Sequence, residues 1–142
     1  MTKNRIDSII FNEYLYEKGH KDSKDLEAVF QSLVRNYKLI LISGCAGNEI
    51  EEFFEKTNFK KYFIDYESNG RSGHLKIDNI KQLIRRNSLK SPVYVGNTDG
   101  DRRLARIMGI PFIFINDGVN KIMDYDGIIN EFSEIEELDV LK

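Results

Sequence analysis

Between Val93 and Asp101 the chain reads VYVGNTDGD. Val93, Tyr94 and Val95 form a β-branched and aromatic run that looks like a buried parallel strand, and Gly96 stops it. Asn97, Thr98, Asp99 and Asp101 then crowd polar oxygens into a turn, and Arg102–Met108 reads as a helix. Oxygens just past the carboxyl end of a strand sit where open α/β sheets bind ligands. Carboxylates in that position suit Mg2+, which one or two of them hold together with a substrate phosphate. An N-capped helix behind an ordinary turn accounts for the same residues equally well.

Two further stretches carry candidate chemistry. Lys38–Ile42, KLILI, reads as a buried strand running into Ser43–Asn48, SGCAGN, and then a helix. Small residues before a helix start leave backbone N–H groups free for an anion, although a serine turn explains them as well. Lys76 stands just before a second helix, where a surface lysine also needs no special reason. Cys45 follows a strand like a nucleophile elbow, but position 51 is Glu51 and no arginine has phosphatase-loop spacing, so it reads as a small buried filler. His20 and His74 lack partners at ligand spacing, which argues against zinc. The SGCAGN glycines do not make the dinucleotide fingerprint. Lys81, Arg85, Arg86 and Lys90 read as a solvated helix face.

These residues need elements to hold them. Asp25–Arg35 is amphipathic, with Leu26, Val29, Phe30 and Leu33 on one face, after a polar loop at His20–Lys24. A helix with Ile50, Phe53 and Phe54 inward follows Asn48. Tyr62–Asp65 reads as a strand and Glu67–Gly73 as a loop. Ile77–Arg86 is a helix with Ile77, Ile80, Leu83 and Ile84 inward. Gly109 ends the turn after the next helix, Pro111–Ile115 reads as a strand, and Asn116–Asn120 as a loop. Ser133–Leu141 reads as a last helix, capped by Ser133 and Glu136. Strands alternating with helices predict a three-layer Rossmann-like α/β domain with a mostly parallel sheet. Ile6–Gly19 supports two readings. One is a helix capped by Asp7 and ended by Gly19; the other is a β-branched strand over Ile6–Phe11.

Length and charge bound the rest. The 142 residues fit one domain, and 41% hydrophobic residues suffice for a core. A net charge of −2 predicts no general affinity for nucleic acid or anionic membrane. One cysteine excludes an internal disulfide and fits a reducing cytoplasm. No apolar run reaches membrane-spanning length, and MTKNRIDS carries no signal-peptide core. Oligomeric state is left open.

Three motifs in order, KLILISGC, the lysine of GHLKIDNIKQLIRRN, and PVYVGNTDGD followed by a helix and GIPFIFI, resemble the haloacid dehalogenase-like phosphatases, especially the phosphoglycolate phosphatase-like ones. The resemblance covers roughly residues 14–140. It implies phosphate binding by Ser43 and Gly44, with Lys76 neutralising the phosphate. It implies Mg2+ at positions 97 and 101, and phosphomonoester hydrolysis of a small metabolite. The chain departs from the pattern twice. The aspartate-x-aspartate motif that supplies the nucleophile and acid/base after the first strand is missing, and position 97 is Asn97 rather than an aspartate.

If Ile6–Gly19 is the last helix of a cap, the first strand is lost by truncation. If Ile6–Phe11 replaces that strand, Asn12 stands at the nucleophile position and Tyr14 at the acid/base position. Either way the expectation is a haloacid dehalogenase-type core over residues 1–142, cap absent or vestigial, with a degenerate site and little hydrolase activity. Its ligand would be phosphate or a small phosphorylated metabolite, with Mg2+ held weakly by Asp101 and Asn97. The alternatives are a non-catalytic regulatory or interaction protein, or one part of a phosphatase completed by another chain.

Overall fold

The computed structural model describes residues 5–19 and 23–142. Its frame is a sheet of six parallel strands: β1 (Ser8–Phe11), β2 (Lys38–Ser43), β3 (Phe63–Ser68), β4 (Pro92–Gly96), β5 (Phe112–Ile115) and β6 (Gly127–Ile129). They lie in the order β3-β2-β1-β4-β5-β6. Among the described residues six α-helices join them: α1 (Tyr14–Gly19), α2 (Ser23–Leu33), α3 (Glu49–Thr57), α4 (Asn69–Ser72), α5 (Lys76–Arg86) and α6 (Asp99–Met108). Both faces of the sheet are buried, which is why the strands read as continuous apolar runs.

Strand periodicity divides the core into two layers. Ile9, Phe11, Leu39, Leu41, Val93, Val95, Ile113 and Ile115 point to one face and pack with Leu15, Phe30, Phe53 and the C-terminal segment. Ile10, Ile40, Ile42, Tyr94, Phe112 and Phe114 point to the other and pack with Ile80, Leu83 and Ala105. A fully buried parallel sheet needs this double set, and the sequence supplies it.

The two readings of Ile6–Gly19 separate here. Ser8–Phe11 is a strand, paired with β2 from Ser8↔Lys38 to Phe11↔Leu41 and with β4 from Ser8↔Pro92 to Phe11↔Val95. It is followed by the six-residue helix α1 rather than being part of one long helix. The truncation reading, with no first strand, does not describe this structure. Without β1 the facing edges of β2 and β4 would be left unpaired. Asp7 does not cap a helix; its carboxylate accepts the N–H groups of Lys90 and Ser91, clamping the start of β1 to the turn before β4.

Other elements shift for local reasons. The strand read at Tyr62–Asp65 runs over Phe63–Ser68, because Glu67 and Ser68 continue the ladder opposite Ile42 and Ser43. The loop read at Glu67–Gly73 contains α4, whose Ser68 cap accepts the Arg71 N–H. Ile77 and Ile84 are only half-buried, while Asn79 on the same helix is buried. The polar loop at His20–Lys24 falls partly on residues 20–22, outside the described residues; Ser23 and Lys24 open α2. The last helix is not α-helical. Phe132–Glu137 and Asp139–Leu141 form two 3₁₀ turns separated by extended Leu138, and the capping box belongs to Glu131 and Glu134, not Ser133 and Glu136. Phe132, Ile135, Leu138 and Leu141 recur every third residue, which aligns them on one side of a 3₁₀ spiral. No described helix is long and apolar enough to cross a membrane.

The central place of β1 can be measured. Phe11 is buried and packs edge-on against Phe30, Phe63 and Phe132. Phe11→Ala should cost about 3–5 kcal/mol in urea unfolding, whereas Val34→Ala, on an exposed side chain, should stay within about 0.5 kcal/mol. Equal costs at the two positions would contradict a buried central β1.

Candidate functional site

The strand order reverses direction at β1, so the crevice at the carboxyl ends of β1, β2 and β4 is where this topology leaves room for a ligand. Asn12 follows β1, Ser43 ends β2, and Asn97–Asp101 follow β4. Lys76 enters from the first turn of α5.

Asp101 is the hub. It opens α6 in a reciprocal capping box with Thr98, and its carboxylate is almost wholly buried. Oδ1 accepts Lys76 Nζ at 3.0 Å and Tyr94 Oη at 2.5 Å. Oδ2 accepts Asn12 Nδ2 at 2.8 Å and Thr98 Oγ1 at 2.8 Å, with the N–H groups of Thr98 and Asn97 at 3.2 and 3.3 Å. Gly96 is required beside it, since an added Cβ would lie 2.5 Å from Asp101 Cβ. Burial works to raise the Asp101 carboxyl, but the Lys76 charge and the Tyr94 and Thr98 hydroxyls outweigh it and hold it below the ordinary aspartate value. Burial and the neighbouring Asp101 charge push the Tyr94 phenol far up, so it remains a donor.

Asn12 uses both amide hydrogens, one on Asp101 and one on Asn97 Oδ1 at 2.7 Å. Its own oxygen accepts the Tyr14 N–H. Asn97 in turn donates to Asp117 Oδ2 at 3.0 Å. Asp117 is held down at about 2: burial opposes this, but the Asn120 backbone, the Asn97 amide and further donors prevail.

The residue that sequence reasoning missed is Glu13. Its Oε1 accepts Lys76 Nζ at 2.7 Å, and its Oε2 accepts the Gly44 N–H at 3.2 Å. Lys76 is therefore shared between two carboxylates. Burial works to lower its pKa, but Asp101 and Glu13 together hold it above the usual lysine value. The only hint in the sequence is position: Glu13 is the second residue past the central strand.

Several expected residues point elsewhere. Ser43 Oγ is buried, 3.0 Å from Tyr16 Oη, and accepts the Cys45 N–H. Cys45 is half-exposed and accepts the Tyr16 hydroxyl, so it is not a buried filler. The half-buried Tyr14 ring packs against Phe132 at the edge of the core. Asp99 pairs on the surface with Arg102 and Arg103. Arg86 is tied to Asp65 and Glu67, and His74 is exposed; His20 lies outside the described residues. The loop after β2 is pinned by α4: Gly70 N–H donates to Cys45 O, and a Cβ on Gly70 would strike the Ala46 and Gly47 carbonyls.

No family model and no curated protein matches the sequence. Solved structures do match the fold. The chain has the haloacid dehalogenase-like fold. A haloacid dehalogenase-like family hydrolase, SP0104 from Streptococcus pneumoniae, superposes with a TM-score of 0.70 at 18% identity, over 80% of this chain and 57% of that one. A candidate phosphatase from Clostridium difficile gives 0.75 at 12% identity, over 99% of this chain and 100% of that one. The HAD-hydrolase YfnB from Bacillus subtilis, bound to magnesium, gives 0.72 at 10% identity, over 83% of this chain and 55% of that one. The chain thus spans little more than half of two of these haloacid dehalogenase-like structures and all of the third.

The donor set here does not fit Mg2+. Both Asp101 oxygens are already filled by hydrogen-bond donors, one of them an ammonium, and Asn12 and Asn97 bring amides where charge is needed. Among the described residues no group of three or more His, Cys, Asp or Glu is placed to hold a metal. Mg2+ at millimolar concentration should leave the melting temperature unchanged. A site tenfold tighter than the free metal would add about 1.4 kcal/mol, a rise of roughly 3–5 °C in a thermal scan, and that rise would overturn the assignment.

The carboxylates also set an acid limit. Asp101 and Asp117 sit below the ordinary aspartate value of about 3.9. A depressed folded-state pKa gives stability that is full above the unfolded value and is lost as pH falls through the folded one. Urea unfolding should therefore show stability falling from about pH 4 toward pH 2. Asp117→Asn should flatten part of that slope. Stability that rises on acidification through this window would contradict the sign.

Proposed function

We propose that this protein is a haloacid dehalogenase-fold protein without phosphomonoesterase turnover, working as a single core domain over residues 1–142. On this reading it keeps the anion-binding half of a phosphatase site and lacks the reacting half. The observation that carries the reading is Asn12. Covalent catalysis at that strand end needs a carboxylate oxygen as nucleophile. Asn12 offers an amide whose two hydrogens are bonded to Asp101 and Asn97. A carboxylate there would lose both bonds and face the Asp101 charge. Tyr14, at the acid/base position, turns its ring against Phe132.

The ligand class that suits what remains is phosphate or a small phosphorylated metabolite. Lys76 supplies charge, Gly44 a backbone N–H, and Ser43 a hydroxyl if it turns from Tyr16. A regulatory or interaction role fits this retained half. Completion by a second chain fits less well, because β1 already fills the slot from which a nucleophile would come. A single cysteine agrees with a reducing, cytoplasmic site of action.

Incubation with p-nitrophenyl phosphate and Mg2+ should give background hydrolysis. Intact-mass analysis should find no phosphoryl adduct. Turnover that scales with protein and vanishes in Lys76→Ala would overturn the reading.

A further inference from the structure

Glu13 stands apart from the rest of the crevice chemistry. Asp101, Tyr94, Thr98, Asn12 and Asn97 form a closed network that holds the strand ends together. Glu13 is not needed to satisfy that network, for Lys76 already has Asp101 as a buried counter-ion. Yet its two carboxylate oxygens reach two separate donors, the Lys76 ammonium and the Gly44 N–H. An ammonium and a strand-end loop N–H, facing one oxygen each, would also receive two oxygens of a tetrahedral oxyanion. Glu13 reaches them from the turn after β1, 63 residues away from Lys76 in sequence. Its side chain is 21% exposed, so the carboxylate lies at the mouth of the crevice and has solvent to move into.

We propose that Glu13 is a built-in competitor that occupies the oxyanion cradle of Lys76 and Gly44, so that free phosphate binds strongly only when Glu13 is displaced. Tethered to the same chain, the carboxylate acts at an effective concentration on the order of millimolar or more, which a free anion must exceed. A competitor that fills the cradle nine times in ten lowers the apparent affinity for phosphate about tenfold. The site is thereby selective. An anion with one charge gains no more from Lys76 than Glu13 does, while a phosphate dianion brings a second charge and further oxygens to the same donors.

The inference rests on the phosphate-class reading of this crevice but not on the lack of turnover, and binding is read without any substrate. Inorganic phosphate is titrated at constant ionic strength into the wild-type chain, Glu13→Ala and Glu13→Ala/Lys76→Ala, with the Gly44 amide resonance followed by NMR. Glu13→Gln is added because it keeps the side-chain shape if the alanine variant loosens the turn. Phosphate should move Gly44 with an affinity about tenfold higher in Glu13→Ala than in wild type, with Glu13→Gln between them. The double variant should lose the response. Equal affinity in wild type and Glu13→Ala, or no response in either Glu13 variant while its spectrum remains folded, would overturn the proposal. Hydrolysis by the wild-type chain would instead overturn the reading of a non-turnover protein, and leaves the binding comparison intact.

Discussion

A single buried carboxylate governs the crevice. Removing Asp101 from water is costly unless each of its oxygens meets donors, and the surrounding structure is arranged to provide them. Tyr94 reaches it from inside β4, Thr98 and the Asn97 N–H from the turn, Asn12 from the end of β1, and Lys76 from the start of α5. These groups belong to three separate pieces of chain. Their convergence fixes the spacing of β1 and β4 at one end of the sheet, as the Asp7 clamp fixes it at the other. A half-satisfied network of this kind would be worse than an apolar core, which explains why every oxygen of Asp101 is accounted for.

Much of the fold was legible because the sheet is buried on both sides. KLILI, PVYVG and PFIFI are apolar without alternation, which only a doubly covered strand or a buried helix tolerates, and their shortness selects the strand. Ser8–Phe11 carries the same signal, SIIF, but Asp7 ahead and Gly19 behind mimic helix ends, so local pattern alone left it open. The competing demand was tertiary: β2 and β4 each had an edge to fill. The strand Gly127–Ile129 was missed because three residues beginning with glycine hold no periodicity; it exists because β5 offers it an edge. At the C-terminus the helix was legible and its type was not, although apolar residues at every third position were the signature of the 3₁₀ turns.

The candidate site was legible where motif and strand end coincide. Lys76 and the Asn97 N–H both reach Asp101, with Gly44 at the rim, and these are positions that the resemblance, not spacing alone, had singled out. Ser43 and Tyr14 show the limit of spacing arguments. Each stands at the expected place along the backbone, but the side chain goes to Tyr16 in one case and to Phe132 in the other. Side-chain direction is decided by neighbours that sequence separation conceals. Glu13 was illegible for the same reason: nothing along the chain says that a glutamate beside Asn12 will reach a lysine and a glycine N–H from two different loops.

The amides at positions 12 and 97 and the carboxylate at 13 belong to one electrostatic solution. Carboxylates at 12 and 97 would surround Asp101 and Asp117 with like charge at hydrogen-bonding distance, an arrangement that is stable only with a cation among them. Amides remove that repulsion and, in addition, supply the hydrogens that Asp101 and Asp117 accept. Once no divalent cation is required, Lys76 carries the positive charge of the crevice alone, and one buried carboxylate beside it leaves donor capacity turned toward solvent. Glu13 takes up that capacity. The donors of the crevice are taken up by its own side chains; what is given up is the open, unsatisfied geometry that a reacting phosphate would need.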